Sequence, residues 1–182
     1  MSKRLYLLCA SLLPLMICTG MIYSIFALYV EELGASRSQI GFLFMASAAV
    51  GTVAAPLFGR LSDRMRRRKP IITFSMFAFL VIFVVYALSK SYIEIFPAHA
   101  FEGAAWAALG AVAPALIADI TPEEERGRAM GIYNTTWNLG WIIGPALGGF
   151  LAENFGFRLC FLSCSLMITL GLVLVILFVE EA

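Results

Sequence analysis

The chain has 182 residues, of which 61% are apolar and 14% charged, with a formal net charge of +1 and a mean hydropathy of +0.89. An ordinary soluble domain carries about 25% charged residues, and a third of its unfolded surface stays wet after folding. This composition therefore excludes a soluble enzyme and a disordered tail, and without a strong field for a polyanion it excludes a nucleic-acid binder; what it describes is an all-α polytopic membrane protein.

A helix needs about 20 apolar residues to cross the hydrocarbon core. Six stretches qualify in chain order: Leu5–Val30, Ile40–Gly59, Ile71–Leu88, Tyr92–Ala118, Ala129–Ala152 and Leu159–Val179. The first follows Met1 to Arg4 and is too long for the core of a signal peptide, so it reads as an uncleaved span. Its Pro14 and Gly20 suggest a bend. Tyr23 is its best candidate for a cavity wall, and Tyr29 suits an interfacial aromatic belt. Between the second and third spans, Arg60 to Lys69 holds six bases around Asp63, which is placed to pair with Arg67 or to cap a neighbouring helix. Gly59 before it would let another helix approach closely.

The fourth span alone carries ionisable groups: Glu94 near one surface, His99, and Glu102, which lies roughly 15 Å along the axis from Tyr92. His99 and Glu102 share a face at i, i+3. A carboxylate at that depth is costly unless paired or protonated. Beside a histidine it is a proton-carrier candidate, the alternative being a static pair that locks the helix. Glu123, Glu124 and Glu125 then form the acidic start of a short surface helix. In the fifth span Asn134, Asn138 and Trp141 share a face at i, i+4, i+7, suited either to an amphipathic substrate or to bonding between helices. Gly140, Gly144 and Gly148 make a small-residue groove for close helix packing, interrupted by Pro145, which removes a backbone donor. Cys9, Cys18, Cys160 and Cys164 all sit in apolar runs and read as inert buried thiols. No metal ligand set or cofactor motif is evident, and an intramembrane enzyme lacks both a Gly-x-Ser-x-Gly turn and any histidine besides His99.

Ten of the 13 Lys and Arg residues fall at the N-terminus and in the second and fourth connections, against one each at Arg37, Lys90 and Arg158. The positive-inside rule then puts both termini in the cytoplasm. A shift of 90 residues aligns Gly41 with Gly131, Gly59 with Gly149, Leu61 with Leu151, Asp63 with Glu153 and Arg68 with Arg158. A repeat of three helices must be inserted upside down in its second copy. The expected architecture is thus one bundle over 1–182 in two inverted three-helix repeats, 5–88 and 92–179, an arrangement typical of secondary transporters.

The stretch from Gly59 resembles the signature G-x-L-x-D-R-x-G-R-R of the major facilitator superfamily, matched at Gly59, Leu61, Asp63, Arg64, Arg67 and Arg68. Arg66 stands where the family has glycine, which puts the shape of the turn in doubt. The resemblance implies a cytoplasmic latch, whose charged residues bond when the transporter faces outward. Gly140, Gly144, Pro145, Gly148 and Gly149 likewise fit the motif associated with the superfamily's antiporters, which seals the extracellular end and goes with export against protons. The family's R-x-x-Q-G motif is represented by His99, Glu102 and Gly103, so only its glycine survives. The resemblance implies half of a twelve-helix fold, needing a second six-helix half from the same chain continued or from another subunit. It implies a plasma-membrane secondary transporter with a lipid bilayer, protons and a small molecule as partners, coupled to efflux. The alternatives are uptake of a sugar or metabolite, or a half-size assembly protein that does not transport.

Overall fold

A computed structural model describes residues 3–181. It contains six long helices: α1 (Lys3–Glu32), α2 (Arg37–Met65), α3 (Lys69–Leu88), α4 (Tyr92–Ile120), α5 (Arg126–Phe155) and α6 (Phe157–Phe178), with a single 3₁₀ turn at Glu123–Glu125. Each expected span falls inside one helix, except that the sixth runs one residue past the end of α6, to Val179. Most helices overrun the apolar stretch because the flanking residues meet water and can continue the helix without breaking it. The acidic triplet, expected to open a short surface helix, forms a 3₁₀ turn that leads directly into α5.

Five helices are long and apolar enough to cross a membrane. The fifth span was expected to be the sixth of these. Its helix, α5, has the length, with 30 residues, but Asn134, Thr135, Thr136, Asn138 and repeated glycines lower its hydropathy. Those glycines instead set it against α1.

The helices pack in a pattern that an exchange of α1–α3 with α4–α6 leaves almost unchanged. α1 lies chiefly along α5, and α4 along α2; α1 also lies along α6, and α4 along α3; α3 packs on α6. This pairing supports the two-repeat reading. It also places α2 and α5 at the flanks: only Leu43, Ala54 and Ser62 of α2 are buried, whereas α1 buries 16 residues.

In lipid, helices gain little from hiding apolar side chains, and close backbone approach does the work. The α1–α5 seam is built this way. A Cβ on Gly140 would lie 2.5 Å from the Met16 carbonyl, one on Gly144 2.5 Å from the Ile17 carbonyl, and one on Gly148 would strike the Met21 carbonyl. The α2–α4 seam repeats the device with Gly51 and Gly103, where a Cβ on Gly103 would strike the carbonyl oxygen of Ser47. Gly59 and Gly149 meet nothing within 4 Å, so neither serves the close approach within this chain that the sequence suggested for Gly59. α1 and α5 continue as single helices through Pro14 and Pro145.

Two further expectations need correction. Much of the basic connection is helical, since α2 runs on to Met65 and leaves only Arg66 to Arg68 outside helices. Arg66 adopts the left-handed conformation, with φ 51° and ψ 29°, so the turn keeps the backbone that a glycine would give it. Tyr29 is buried at 2% exposure. Its hydroxyl donates to the Tyr86 carbonyl at 2.5 Å, which bonds α1 to α3 in place of an interfacial belt position.

An L-residue in the left-handed region costs about 1–2 kcal/mol, partly offset because glycine loses more entropy on folding. Arg66→Gly should therefore stabilise the protein by about 0.5–1 kcal/mol, read as a rise in thermal midpoint. Gly103→Ala should cost about 1–3 kcal/mol through overpacking against Ser47, while Gly110→Ala, which meets nothing within 4 Å, should not destabilise.

Candidate functional site

The basic end of the bundle is organised by one residue. Arg68 stands at the start of α3 and reaches back to α2 and across to α4. Its Nη1 lies 2.8 Å from Asp63 Oδ1 and 2.6 Å from the Ser62 hydroxyl, and its Nε donates to Asp119 Oδ2 at 2.9 Å. The partner of Asp63 is thus Arg68 and not Arg67, since the left-handed turn at Arg66 folds the chain back and brings the next helix start over the end of α2. The bond to Asp63 first, with partial burial opposing it and Asp119 adding to it, holds the guanidinium above its ordinary pKa. Arg64 and Arg67 stay exposed. At the same end both oxygens of Glu181 accept the backbone N–H groups of Arg68 and Lys69, at 2.8 and 3.0 Å, and Arg4 pairs with Glu180 at 2.8 Å.

Inside the bundle, His99 and Glu102 come together as their spacing implied, with Nδ1 3.0 Å from Oε2. They are 2% and 3% exposed. Two residues that sequence reasoning missed complete the cluster. Tyr86, at the far end of the apolar α3, donates its hydroxyl hydrogen to Glu102 Oε2 at 2.5 Å, and its oxygen lies 2.8 Å from His99 Nδ1. Trp106 donates from Nε1 to Glu102 Oε1 at 3.3 Å. The i, i+4 spacing of Glu102 and Trp106 was a legible signal; the meeting with Tyr86 is tertiary. Phe26 of α1 stacks on the imidazole at 4.5 Å and 21°, and Phe44 of α2 meets it edge-on at 5.2 Å. Glu94, by contrast, is exposed and accepts the backbone N–H of Lys90 at 2.7 Å, which is the plain surface role expected of it.

Next to the cluster an open cavity of about 660 Å³ lies between α1, α2 and α4, walled by Tyr23, Phe44, Ser47, Gly51, Thr52, Gly103 and Trp106 among others. Tyr23 thus lies in the wall of this cavity. Trp141 of α5 packs against it at 5.7 Å. Asn134 and Asn138 are exposed on α5 and are not part of this wall. Between the cavity and the buried pair is a closed gap bounded by Ile22, Tyr23, Phe26, Phe44, His99 and Glu102, with no room for a water molecule.

The four cysteines are buried thiols, in keeping with an inert packing role; Cys18 Sγ, for example, faces the Cys164 carbonyl at 3.5 Å.

The whole arrangement has clear relatives. The chain is 31% identical over 167 residues to an uncharacterized MFS-type transporter of Methanocaldococcus jannaschii, a match over 92% of this chain and 43% of that protein. It is 26% identical over 153 residues to the quinolone resistance protein NorA of Staphylococcus aureus, covering 84% of this chain and 39% of NorA. The crystal structure of the human organic anion transporter MFSD10 (TETRAN) superposes with a TM-score of 0.81 at 16% identity, over 100% of this chain and 49% of that one. The chain thus spans about half or less of the length of these proteins. The sequence pattern of the Major Facilitator Superfamily matches residues 8–182, and the chain belongs to that superfamily.

Proposed function

We propose that the protein is a secondary active transporter that exports a small molecule in exchange for protons by alternating access, this chain supplying one six-helix half. The observation that carries this reading is the buried Glu102–His99 pair, separated from an open cavity by side chains that include Tyr23, Phe44 and Trp106. A buried ionisable pair in a membrane bundle is expensive and marks an ion or substrate path by default. The cavity wall combines aromatic faces with few polar groups, which suits an amphipathic molecule. Membership of the superfamily supports transport, and the resistance protein among the relatives supports the outward direction.

The other parts take roles around that pair. Arg68 with Asp63 and Asp119 forms the latch, with Gly59, Arg64 and Arg67 beside it at the face a second half would meet. The latch end is the basic end of the bundle, so it lies in the cytoplasm with both termini, in the plasma membrane. Gly140, Gly144, Pro145 and Gly148 hold α5 against α1 without a path between them, which is how the antiporter motif resists leak; Gly149 points away from that seam. Asn134, Asn138 and Trp141, with Tyr23, extend the cavity wall toward the second half. That half, from the same chain continued or from another subunit, covers the polar face of α5, which lipid would not.

Reconstitution of the full-length protein into vesicles with an imposed pH gradient tests this. Flux should depend on the gradient, and Glu102→Gln should abolish that dependence while leaving the purified protein folded. Proton-driven flux unchanged in Glu102→Gln would remove the coupling role. Asp63→Asn should cut flux at least about tenfold, the scale of losing one charged hydrogen-bond partner worth roughly 1.5–3 kcal/mol. Full flux in Asp63→Asn, with assembly intact, would favour a chain that assembles but does not transport.

A further inference from the structure

The geometry of the buried cluster narrows proton binding to one atom. A tryptophan N–H only donates, and a tyrosine hydroxyl has a single hydrogen. Trp106 spends its hydrogen on Glu102 Oε1 and Tyr86 spends its own on Oε2. The oxygen of Tyr86 is then left as an acceptor facing His99 Nδ1, 2.8 Å away. On its other side Nδ1 meets Oε2 at 3.0 Å. Around an ionised Glu102, both neighbours of Nδ1 are acceptors, so Nδ1 carries a hydrogen. In the neutral ring Nε2 is then a bare lone pair.

Nε2 is buried and has no hydrogen-bond partner among the described residues. The opposite assignment, a protonated Glu102 donating to Nδ1, puts an N–H on Nε2 with nothing to receive it. A buried donor left unmade is the worse of the two orphans. It also leaves the carboxyl group with fewer charge-assisted bonds, which are the strong ones. A second feature favours charge on the ring. Phe26 lies face to face with the imidazole at 4.5 Å, and an aromatic face attracts a cation within about 6 Å of its centroid.

Resting on the proton-coupled reading above, we propose that the exchanged proton binds Nε2 of His99, while Glu102 remains ionised as its fixed counter-charge. Loading adds a proton from hydronium to the Nε2 lone pair, forming one N–H bond and leaving water; release is the reverse. The loaded site is an electrically neutral imidazolium–carboxylate pair whose Nε2–H is received by water once that water is admitted, and the unloaded site is a carboxylate held by three donors. Facing this pair are Tyr23 from α1 and Tyr86 from α3 as titratable groups; α2 presents Phe44, while α5 reaches it through Trp137 on Trp106 and Trp141 on Tyr23, and α6 through Phe161 on Tyr86. No lysine or arginine lies in the apolar stretch of any helix. Tyr23 and Phe44 wall both the closed gap and the open cavity, so movement of either side chain admits water to Nε2.

The test uses the full-length protein in lipid nanodiscs, labelled with ¹⁵N-histidine, with the His99 signal assigned by its loss in His99→Gln. His99 should be the Nδ1–H tautomer at high pH and become imidazolium as pH falls. Infrared difference spectra over the same range should show no carboxylic-acid band that disappears in Glu102→Gln. Loss of the counter-charge in Glu102→Gln should lower the proton affinity of His99 at least about tenfold. Tyr86→Phe, a second variant that keeps the ring packing and the counter-charge, should change it far less, because it removes a donor to the carboxylate and an acceptor of Nδ1–H together. A His99 that stays neutral throughout, or an Nε2–H tautomer together with a carboxylic-acid band lost in Glu102→Gln, would overturn the assignment. These spectra need no transport. A titrating His99 beside pH-independent flux defeats the coupling reading alone, and coupled flux beside a silent His99 defeats this assignment alone.

Discussion

The constraint on which the rest of this bundle depends is the placement of a carboxyl group, Glu102, at 3% exposure in an apolar helix. Removing an ionised carboxylate from water costs several kcal/mol even after relaxation. Hydrogen bonds to a charged group return about 1.5–3 kcal/mol each. The protein gathers two donors around the one group, from Tyr86 and Trp106, and sets His99 Nδ1 beside it as a third hydrogen-bond partner. Supplying them requires α3 beside α4, and the stacking of Phe26 on His99 requires α1 there as well. The central packing of α1, α3 and α4 is what keeps the acid affordable.

The flanking helices are held by a different force. α2 and α5 bury few large side chains and carry exposed apolar residues such as Val53 and Ile142. In lipid such residues need no cover, so the attachment of each flank rests on backbone contact at glycine: Gly51 with Gly103 for α2, and Gly140, Gly144 and Gly148 against α1 for α5. A seam of this kind is tight but narrow. It fixes where two helices cross while leaving most of their length unbonded to each other.

These two kinds of contact differ in how visible they were in the sequence. The glycine runs, the i, i+3 pair His99 and Glu102, and the apolar lengths of the spans are local patterns, and the helices and the core of the site follow from them. Tyr86 was not visible because nothing in α3 distinguishes its hydroxyl from an ordinary membrane-helix tyrosine; its role comes from α3 lying along α4. The partner of Asp63 was missed for a backbone reason. Spacing along a helix favoured Arg67, but the left-handed Arg66 ends α2 before Arg67 can take a helical place, and Arg68 is the residue the turn delivers. The misreading of Tyr29 has the same origin as that of Tyr86, since its acceptor is a carbonyl 57 residues away.

The Arg68 ion-pair cluster and the buried pair share α4. Asp119, which Arg68 binds, is 17 residues beyond Glu102, or about 25 Å along the axis. Between these points α4 is one continuous helix containing Pro114. It meets the backbone of α2 closely at Gly103, the residue next to Glu102. α2 carries Asp63, so Arg68 ties α2 and α4 together at one end while the glycine contact ties them at mid-length. With both ties made, the crossing angle of α2 and α4 is held at two points along their length. Breaking the Arg68–Asp119 bond leaves the Gly51–Gly103 crossing as the remaining fixed point, and any rocking of α4 about that point turns most directly on the residue beside it. The Phe44 side chain on α2 and the His99 ring on α4 then shift relative to each other. Loss of the Arg68–Asp119 bond would therefore be felt around the buried His99–Glu102 pair through two helices and one crossing, with no chain of intermediate side chains needed.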